Sequence, residues 1–202
     1  MSMIGNRQGA KGAWWKDVIG NGDPFQPVFW GNRLDQPYKV KKPAKIFVCS
    51  MADLFGDWVP QDWIESVLQI VRGCPWHTFQ FLTKNPKRLS FWNPWPDNCW
   101  VGTTVTNQED MHRVMEMWNV LSKVRFISYE PLLGPIDIGL SGAYIDWAII
   151  GAMTGPGAAK VDPAWVQGLV DQYRAAGVPV FLKDNLYREP MGWTKKIQEF
   201  PV

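Results

Sequence analysis

The chain has 202 residues, 46% of them apolar and 20% charged, with a formal net charge of +2. That composition excludes a disordered chain and fits one globular domain, while so small a net charge excludes reading nucleic-acid binding from charge alone. Cys49, Cys74 and Cys99 are an odd number, far apart and without a Cys-x-x-Cys, which argues against a disulfide framework or a zinc knuckle and suits a reducing compartment.

No apolar run approaches the length of a membrane span, and residues 1–14 lack the continuous apolar stretch of a leader, so a cytoplasmic location with no membrane partner is expected. Residues 1–30, punctuated by glycines and by Asp23-Pro24-Phe25-Gln26-Pro27, read as an irregular arm. A strand is expected over 45–50, running into Met51-Ala52-Asp53-Leu54-Phe55-Gly56. A helix follows over about 61–72, where Trp63, Ile64, Val67, Leu68 and Val71 recur at helical spacing and Gly73 occupies the place of a left-handed cap. The second strand covers 78–83, and 87–91 is short enough for a single helical turn. Residues 92–98 form a rigid aromatic loop, fenced by Pro94 and Pro96.

The third strand covers 100–105. Thr106 and Glu109 then have capping-box spacing, and Met111, Val114, Met115, Trp118 and Leu121 form the stripe of a helix. Arg125 opens a fourth strand that stops on Glu130, because Pro131 cannot continue the ladder. A fifth strand over 147–151 leads into the glycine-rich Gly151-Ala152-Met153-Thr154-Gly155-Pro156-Gly157. The next helix has Asp162 as its N-cap, Pro163 in its first turn and Gly177 past its end. The sixth strand, over 178–182, ends in Lys183-Asp184-Asn185, and residues 191–202 form a tail with little periodicity.

Strand starts recur every 20–35 residues, roughly the length of a strand–crossover–strand unit. Continuous apolar strands covered by helices point to an α/β fold with a parallel sheet. About six strands in 31–190 make a TIM-like (βα) partial barrel the expected architecture, with an open doubly wound sheet as the alternative.

Parallel strands bring their C-terminal ends to one rim, where such sheets bind ligands. The rim then carries Ser50, Asp53, Thr83, Asn107, Ser128, Glu130, Thr154, Lys183, Asp184 and Asn185. Alternation puts Phe126, Ser128 and Glu130 on one face of their strand and Tyr129 on the other, and it lets only one of Lys183 and Asp184 point inward. Asp53 also suits a turn cap. A carboxylate at position 130 must be solvated by a cavity, paired, or bound to something, and Lys183 is its natural partner. The glycine-rich turn has neither Walker nor dinucleotide-binding spacing. His77 and His112 read as surface or capping residues, no histidine–carboxylate pair has metal-ligand spacing, and there is no Gly-x-Ser-x-Gly elbow.

Asp23-Pro24-Phe25-Gln26-Pro27, Ser50-Met51-Ala52-Asp53-Leu54-Phe55-Gly56, Leu82-Thr83-Lys84-Asn85-Pro86-Lys87-Arg88, Trp100-Val101-Gly102-Thr103-Thr104-Val105, Ser128-Tyr129-Glu130-Pro131-Leu132-Leu133-Gly134 and Val180-Phe181-Leu182-Lys183-Asp184-Asn185 share one further property. In this order they resemble an uncharacterised phage and prokaryotic family, the phage gp thirty-seven / gp sixty-eight proteins, which look like radical-SAM-type barrels. The resemblance covers roughly residues 23–187. It implies a partial barrel binding S-adenosylmethionine beside a four-iron cluster, held by a trio of cysteines upstream of the Asp-Pro-Phe segment. Residues 1–22 hold no cysteine, so an iron–sulfur cluster is not expected from this chain alone. A cut-down member, or a partner protein that supplies the missing segment, accounts for that.

Three functions are therefore in view. The first is a radical-SAM-like scaffold that binds S-adenosylmethionine or another small, polar, nucleotide-like ligand at the rim. The second is a Schiff-base lyase or aldolase with Lys183 as nucleophile and Glu130 as proton carrier. The third is a non-catalytic module for nucleic acid or protein, using Trp92, Trp95, Lys84, Lys87 and Arg88.

Overall fold

In the computed structural model, which describes residues 27–187 and 196–201, every pairing between neighbouring strands is parallel and the strands lie in chain order. The six strands are β1 (Lys45–Phe47), β2 (Thr78–Thr83), β3 (Cys99–Thr104), β4 (Val124–Tyr129), β5 (Trp147–Ile150) and β6 (Val180–Leu182). The sheet curls into a half-barrel, the expected fold class. Among the described residues four α-helices accompany it: α1 (Gln36–Lys39), α2 (Gln61–Gly73), α3 (His112–Glu116) and α4 (Pro163–Ala175). Residues 1–26 of the expected arm, and 191–195 and 202 of the expected tail, lie outside the described residues. None of the described helices is long and apolar enough to cross a membrane.

The register sorts the side chains into two faces. Leu82, Gly102, Phe126 and Trp147 stand opposite one another across β2 to β5, and Thr104, Ser128, Ile149 and Phe181 form the row above. These residues look into the hollow of the curl, where Val124, Phe126 and Trp147 form a small buried cluster of their own. The alternate residues, among them Phe79, Phe81, Ile127, Tyr129, Ile150 and Leu182, face the main core under the helices. α2 buries Ile64, Val67, Leu68 and Val71 there, and α4 buries Val166, Leu169, Val170 and Tyr173. Each such side chain, fully buried, contributes about 1.5–3 kcal/mol. Gly102 makes the inner row compact: a Cβ there would lie 2.5 Å from the carbonyl oxygen of its cross-strand partner Phe126 and 2.6 Å from its ring.

Several elements depart from the sequence reading. β1 stops at Phe47 because Cys49 takes a left-handed φ of 54° and opens a turn. Gly73 is the last residue of α2, not a left-handed cap; its missing Cβ makes room for the Tyr38 hydroxyl, which would lie 2.0 Å from it. The N-cap after β3 is Asn107, whose Oδ1 accepts from the Asp110 N–H, while Thr106 donates to Asp110 through both its N–H and its hydroxyl. The segment from Gln108 to Asn119 alternates 3-10 and α turns, and with the following residue it buries Met111, Val114, Met117 and Val120 at intervals of three. That is the 3-10 period, and it turns Met115, Trp118 and Leu121 outward. Asp162, Pro163 and Gly177 (φ 73°) bound α4 as expected.

The tail also does more than its composition suggests. Residues 197–199 run antiparallel to β6, with hydrogen bonds from Leu182 N–H to Ile197 O and from Glu199 N–H to Val180 O. Phe200 then packs on Trp147 and Phe181, with ring centroids 5.4 and 5.2 Å away. The Lys45 ammonium of β1 lies 3.8 Å from the Phe200 ring centroid and 5.2 Å from that of Trp100. Among the described residues, these contacts plug the lower part of the hollow with aromatic rings and leave the upper rim as its mouth.

Candidate functional site

The row above Ser128, Ile149 and Phe181 is formed by Glu130, Gly151 and Lys183. The ladder continues to it: Gly151 N–H donates to Tyr129 O at 3.0 Å and Lys183 N–H to Ile150 O at 2.9 Å. β5 lies between β4 and β6, so side chains from 130 and 183 can meet only over position 151. They do meet. Lys183 Nζ donates to Glu130 Oε2 at 2.5 Å, and the two side chains are 42% and 30% exposed. Glycine makes this contact available, since a Cβ at 151 would lie 2.9 Å from Glu130 Oε1 and 3.0 Å from Lys183 Cδ.

Asn185 holds the neighbouring loop in place. Its Oδ1 accepts from Ala152 N–H at 3.2 Å, and its Nδ2 donates to Ala152 O at 2.8 Å. The same Nδ2 reaches Glu130 Oε1 only at 3.5 Å. Glu130 therefore keeps one weakly held oxygen, and Lys183 gives Glu130 one of the three donors of an ammonium. Below the pair, Thr104 and Ser128 face each other across β3 and β4 on the inner face. Leu82, Trp100, Ile149 and Phe181 continue the inner wall, half-buried.

The other sequence-predicted residues are placed differently. Asp53 Oδ1 accepts from Phe55 N–H at 2.9 Å, and Oδ2 accepts from the Thr83 hydroxyl at 2.9 Å and Lys84 N–H at 2.8 Å. Thr83 shares the core-side face with Phe79 and Phe81, and its hydroxyl also accepts from Asn85 N–H. Asn85 and Arg88 extend the lacing to the carbonyls of Phe55, Gly56 and Val59. Thus the motif after β1 and the motif after β2 hold each other rather than opening onto the hollow. Asn107 is a helix cap. Ser50 and Thr154 lie exposed in their loops. Asp184 points away from the pair and accepts from Gln198 Nε2 at 3.0 Å. Sequence named Gly151 only as the start of a glycine-rich turn and Asn185 only as a rim residue; the space Gly151 leaves, the grip of Asn185 on Ala152 and the place of Phe200 it did not show.

His77 is buried, contrary to a surface reading. Its Nδ1 accepts from Ala44 N–H at 3.1 Å, and its Nε2 lies 2.9 Å from the Trp76 indole nitrogen and 3.1 Å from Pro37 O. In the 92–98 loop, Trp95 is buried with its indole N–H on Leu89 O, and Trp92 packs against the core. Trp95 therefore presents no face for stacking bases, while Trp92 is partly buried.

The cysteines do not fit a cluster. Cys49 follows β1, Cys74 follows α2 and Cys99 opens β3, and burial pushes the Cys49 thiol up to about 11 and the Cys99 thiol to about 12. Thiols so raised are poor sources of the thiolates that ligation needs. Among the described residues, no group of three or more His, Cys, Asp or Glu converges on a metal position.

A cleft of about 620 Å³ opens at the opposite pole, between the starts of β4, β5 and β6 and the tail, lined by Lys123, Asp146, Arg174, Glu199 and Phe200 among others. Its charges are largely matched internally, Arg174 with Glu199 at 2.9 Å and Asp146 with Arg125 at 3.2 Å. Despite its size we place the site at the rim, because parallel sheets expose their ligand-binding groups at the C-terminal strand ends.

A family model described as a protein of unknown function (DUF5131) matches residues 7–196. No curated protein and no solved structure matches the chain.

Proposed function

The chain therefore belongs to that family of unknown function, and we propose that it binds a small, polar, nucleotide-like molecule at the C-terminal rim of its half-barrel. S-adenosylmethionine is the first candidate, because the strand-end motifs resemble those of the radical-SAM-like phage proteins. The observation that carries the reading is the Glu130–Lys183 pair, drawn together over Gly151 at the mouth of a half-open apolar hollow. A pair that only tied β4 to β6 would need no opening to solvent, and exposed pairs of this kind contribute little to stability.

The ion pair favours Lys183 as a binding group over Schiff-base chemistry. An ammonium held by a carboxylate offers no lone pair to a carbonyl. The burial of Trp95 leaves a nucleic-acid module with only the partly buried Trp92 of the aromatic pair to support it. Thiolates for an iron–sulfur cluster would have to come from outside these 202 residues, and a partner protein is the proposed source.

Isothermal titration with S-adenosylmethionine tests the reading. Saturable heat is expected for the native protein, with loss of about tenfold in affinity or more for Glu130→Gln and Lys183→Met. Both variants should keep a native melting profile. No heat from the native protein at millimolar ligand overturns it.

A further inference from the structure

We propose that the segments after β1 and β2 form a binding surface for single-stranded nucleic acid, a function separate from the rim ligand above. Two aromatic rings are turned outward there, Trp58 at 65% exposure and Phe91 at 79%. Three cations accompany them. Among the described residues, Lys84, Lys87 and Arg88 form no ion pair with a carboxylate, and both lysines are exposed. The facing loop contributes two acids, Asp53 and Asp57. Asp53 is enclosed by two N–H groups and the Thr83 hydroxyl, and Asp57 accepts from Asn85.

The two segments are locked into one surface. Arg88 donates to Gly56 O and, at 3.1 Å, to Val59 O, while Asn85 Nδ2 donates to Phe55 O at 2.9 Å. Trp58 lies within the stretch so gripped, its ring folded over Gly56, where a Cβ would lie 2.4 Å from it. Phe91 comes three residues after Arg88 in the 3-10 helix Pro86–Trp92, and side chains three apart in such a helix eclipse one another. Phe91 therefore rises on the side that Arg88 turns toward the Trp58 loop, while Pro86 and Leu89 are buried.

Chemistry selects the partner. Open aromatic faces stack on bases of any sequence, and ammonium groups beside them meet the phosphates between. A duplex hides its base faces by stacking them on each other, so only a single strand engages rings and cations together. The centres of protein interfaces are depleted of lysine. A lipid surface calls for a continuous apolar face, and here the lysines interrupt the rings. The cations named from sequence thus keep their place, and Trp58 and Phe91 take over the stacking role that the sequence gave to Trp92 and Trp95.

Fluorescence anisotropy with labelled oligothymidine and oligouridine, each about 12 nucleotides long, tests the proposal. Saturable binding to one or both is expected, the tighter strand naming the preferred sugar. Three phosphate contacts should weaken binding roughly fifteenfold between 50 and 200 mM salt. Phe91→Leu and Trp58→Leu, which keep an apolar side chain and remove the ring, should each cost about fivefold or more in affinity. Lys84→Gln combined with Lys87→Gln should cut the salt effect to roughly threefold. Lys123→Gln, at the opposite pole, should change neither quantity. Absence of binding at 50 mM salt, affinity unmoved by both ring substitutions, or tighter binding of the annealed duplex overturns the proposal. So does self-association, or binding to phosphatidylserine vesicles, that Phe91→Leu abolishes while oligonucleotides stay unbound.

Discussion

Replacing Gly151 by alanine separates a binding role for Glu130 and Lys183 from a structural one. The new Cβ would lie 2.9 Å from Glu130 Oε1 and 3.0 Å from Lys183 Cδ, where ordinary contact begins at 3.4 Å. Both side chains must therefore retreat by about half an ångström. The atoms that move are the ends of flexible side chains, and Gly151 has no positive φ, so the backbone accepts alanine. We expect a cost below about 1 kcal/mol, a fall of roughly 2–4 °C in Tm at most. Ligand geometry has less tolerance, and affinity for S-adenosylmethionine should fall about tenfold or more. Gly102→Ala is the contrast: its Cβ would meet the Phe126 carbonyl, mid-sheet backbone that cannot retreat, at 2.5 Å. That substitution should cost about 3 kcal/mol. Thermal melts and calorimetry on both variants decide the matter. Unchanged binding by Gly151→Ala, or melting as low as that of Gly102→Ala, refutes the reasoning.

Asp53→Ala should cost about 2–4 kcal/mol, because it strands two backbone N–H groups and the Thr83 hydroxyl; a melt within 2 °C of native, roughly half a kcal/mol, would show that the carboxylate is not structural. Tyr129 and Tyr173 share a 2.6 Å hydroxyl contact, and burial pushes both phenols up, with their mutual contact raising Tyr129 further. Their folded values exceed the unfolded one near 10, so stability is complete below that pH and falls above it by about 1.4 kcal/mol per pH unit for each tyrosine. Denaturation at pH 9 and 11 should show a steeper loss for the native protein than for Tyr173→Phe, and equal slopes would count against it. Burial raises the Asp110 carboxyl, but the Thr106 hydroxyl and N–H, then Arg113 and His112, outweigh it and hold the group below its ordinary range. Its stabilisation is therefore present above pH 4 and lost as acid titrates it. Asp110→Asn should destabilise by about 1 kcal/mol at neutral pH and converge with the native protein in acid; a constant gap would contradict this.

The strands were legible because each is an apolar run closed by polar residues, and alternation alone placed Ser128 and Glu130 on the inner face. What sequence could not supply was phase and partnership. Three-residue periodicity buries Met117 and exposes Met115 and Trp118, and a helical 3.6 pattern assigns them the other way. A turn carboxylate such as Asp53 looks the same whether it laces two loops or lines a site; only the position of Thr83, 30 residues away, distinguishes them. Glu130 and Lys183 are 53 residues apart. The sequence reading named them as partners from their place at strand ends, but what lets them meet, the order β4, β5, β6 and the missing side chain of Gly151, came only from the structure.

The account turns on which pole of the half-barrel receives the ligand. Backbone amide shifts followed by NMR during titration with S-adenosylmethionine read this directly. Perturbations should gather at Ser128, Glu130, Gly151, Ala152, Lys183 and Asn185. Perturbations confined instead to Lys123, Asp146, Gly177 and Phe200, around the opposite cleft, would contradict it.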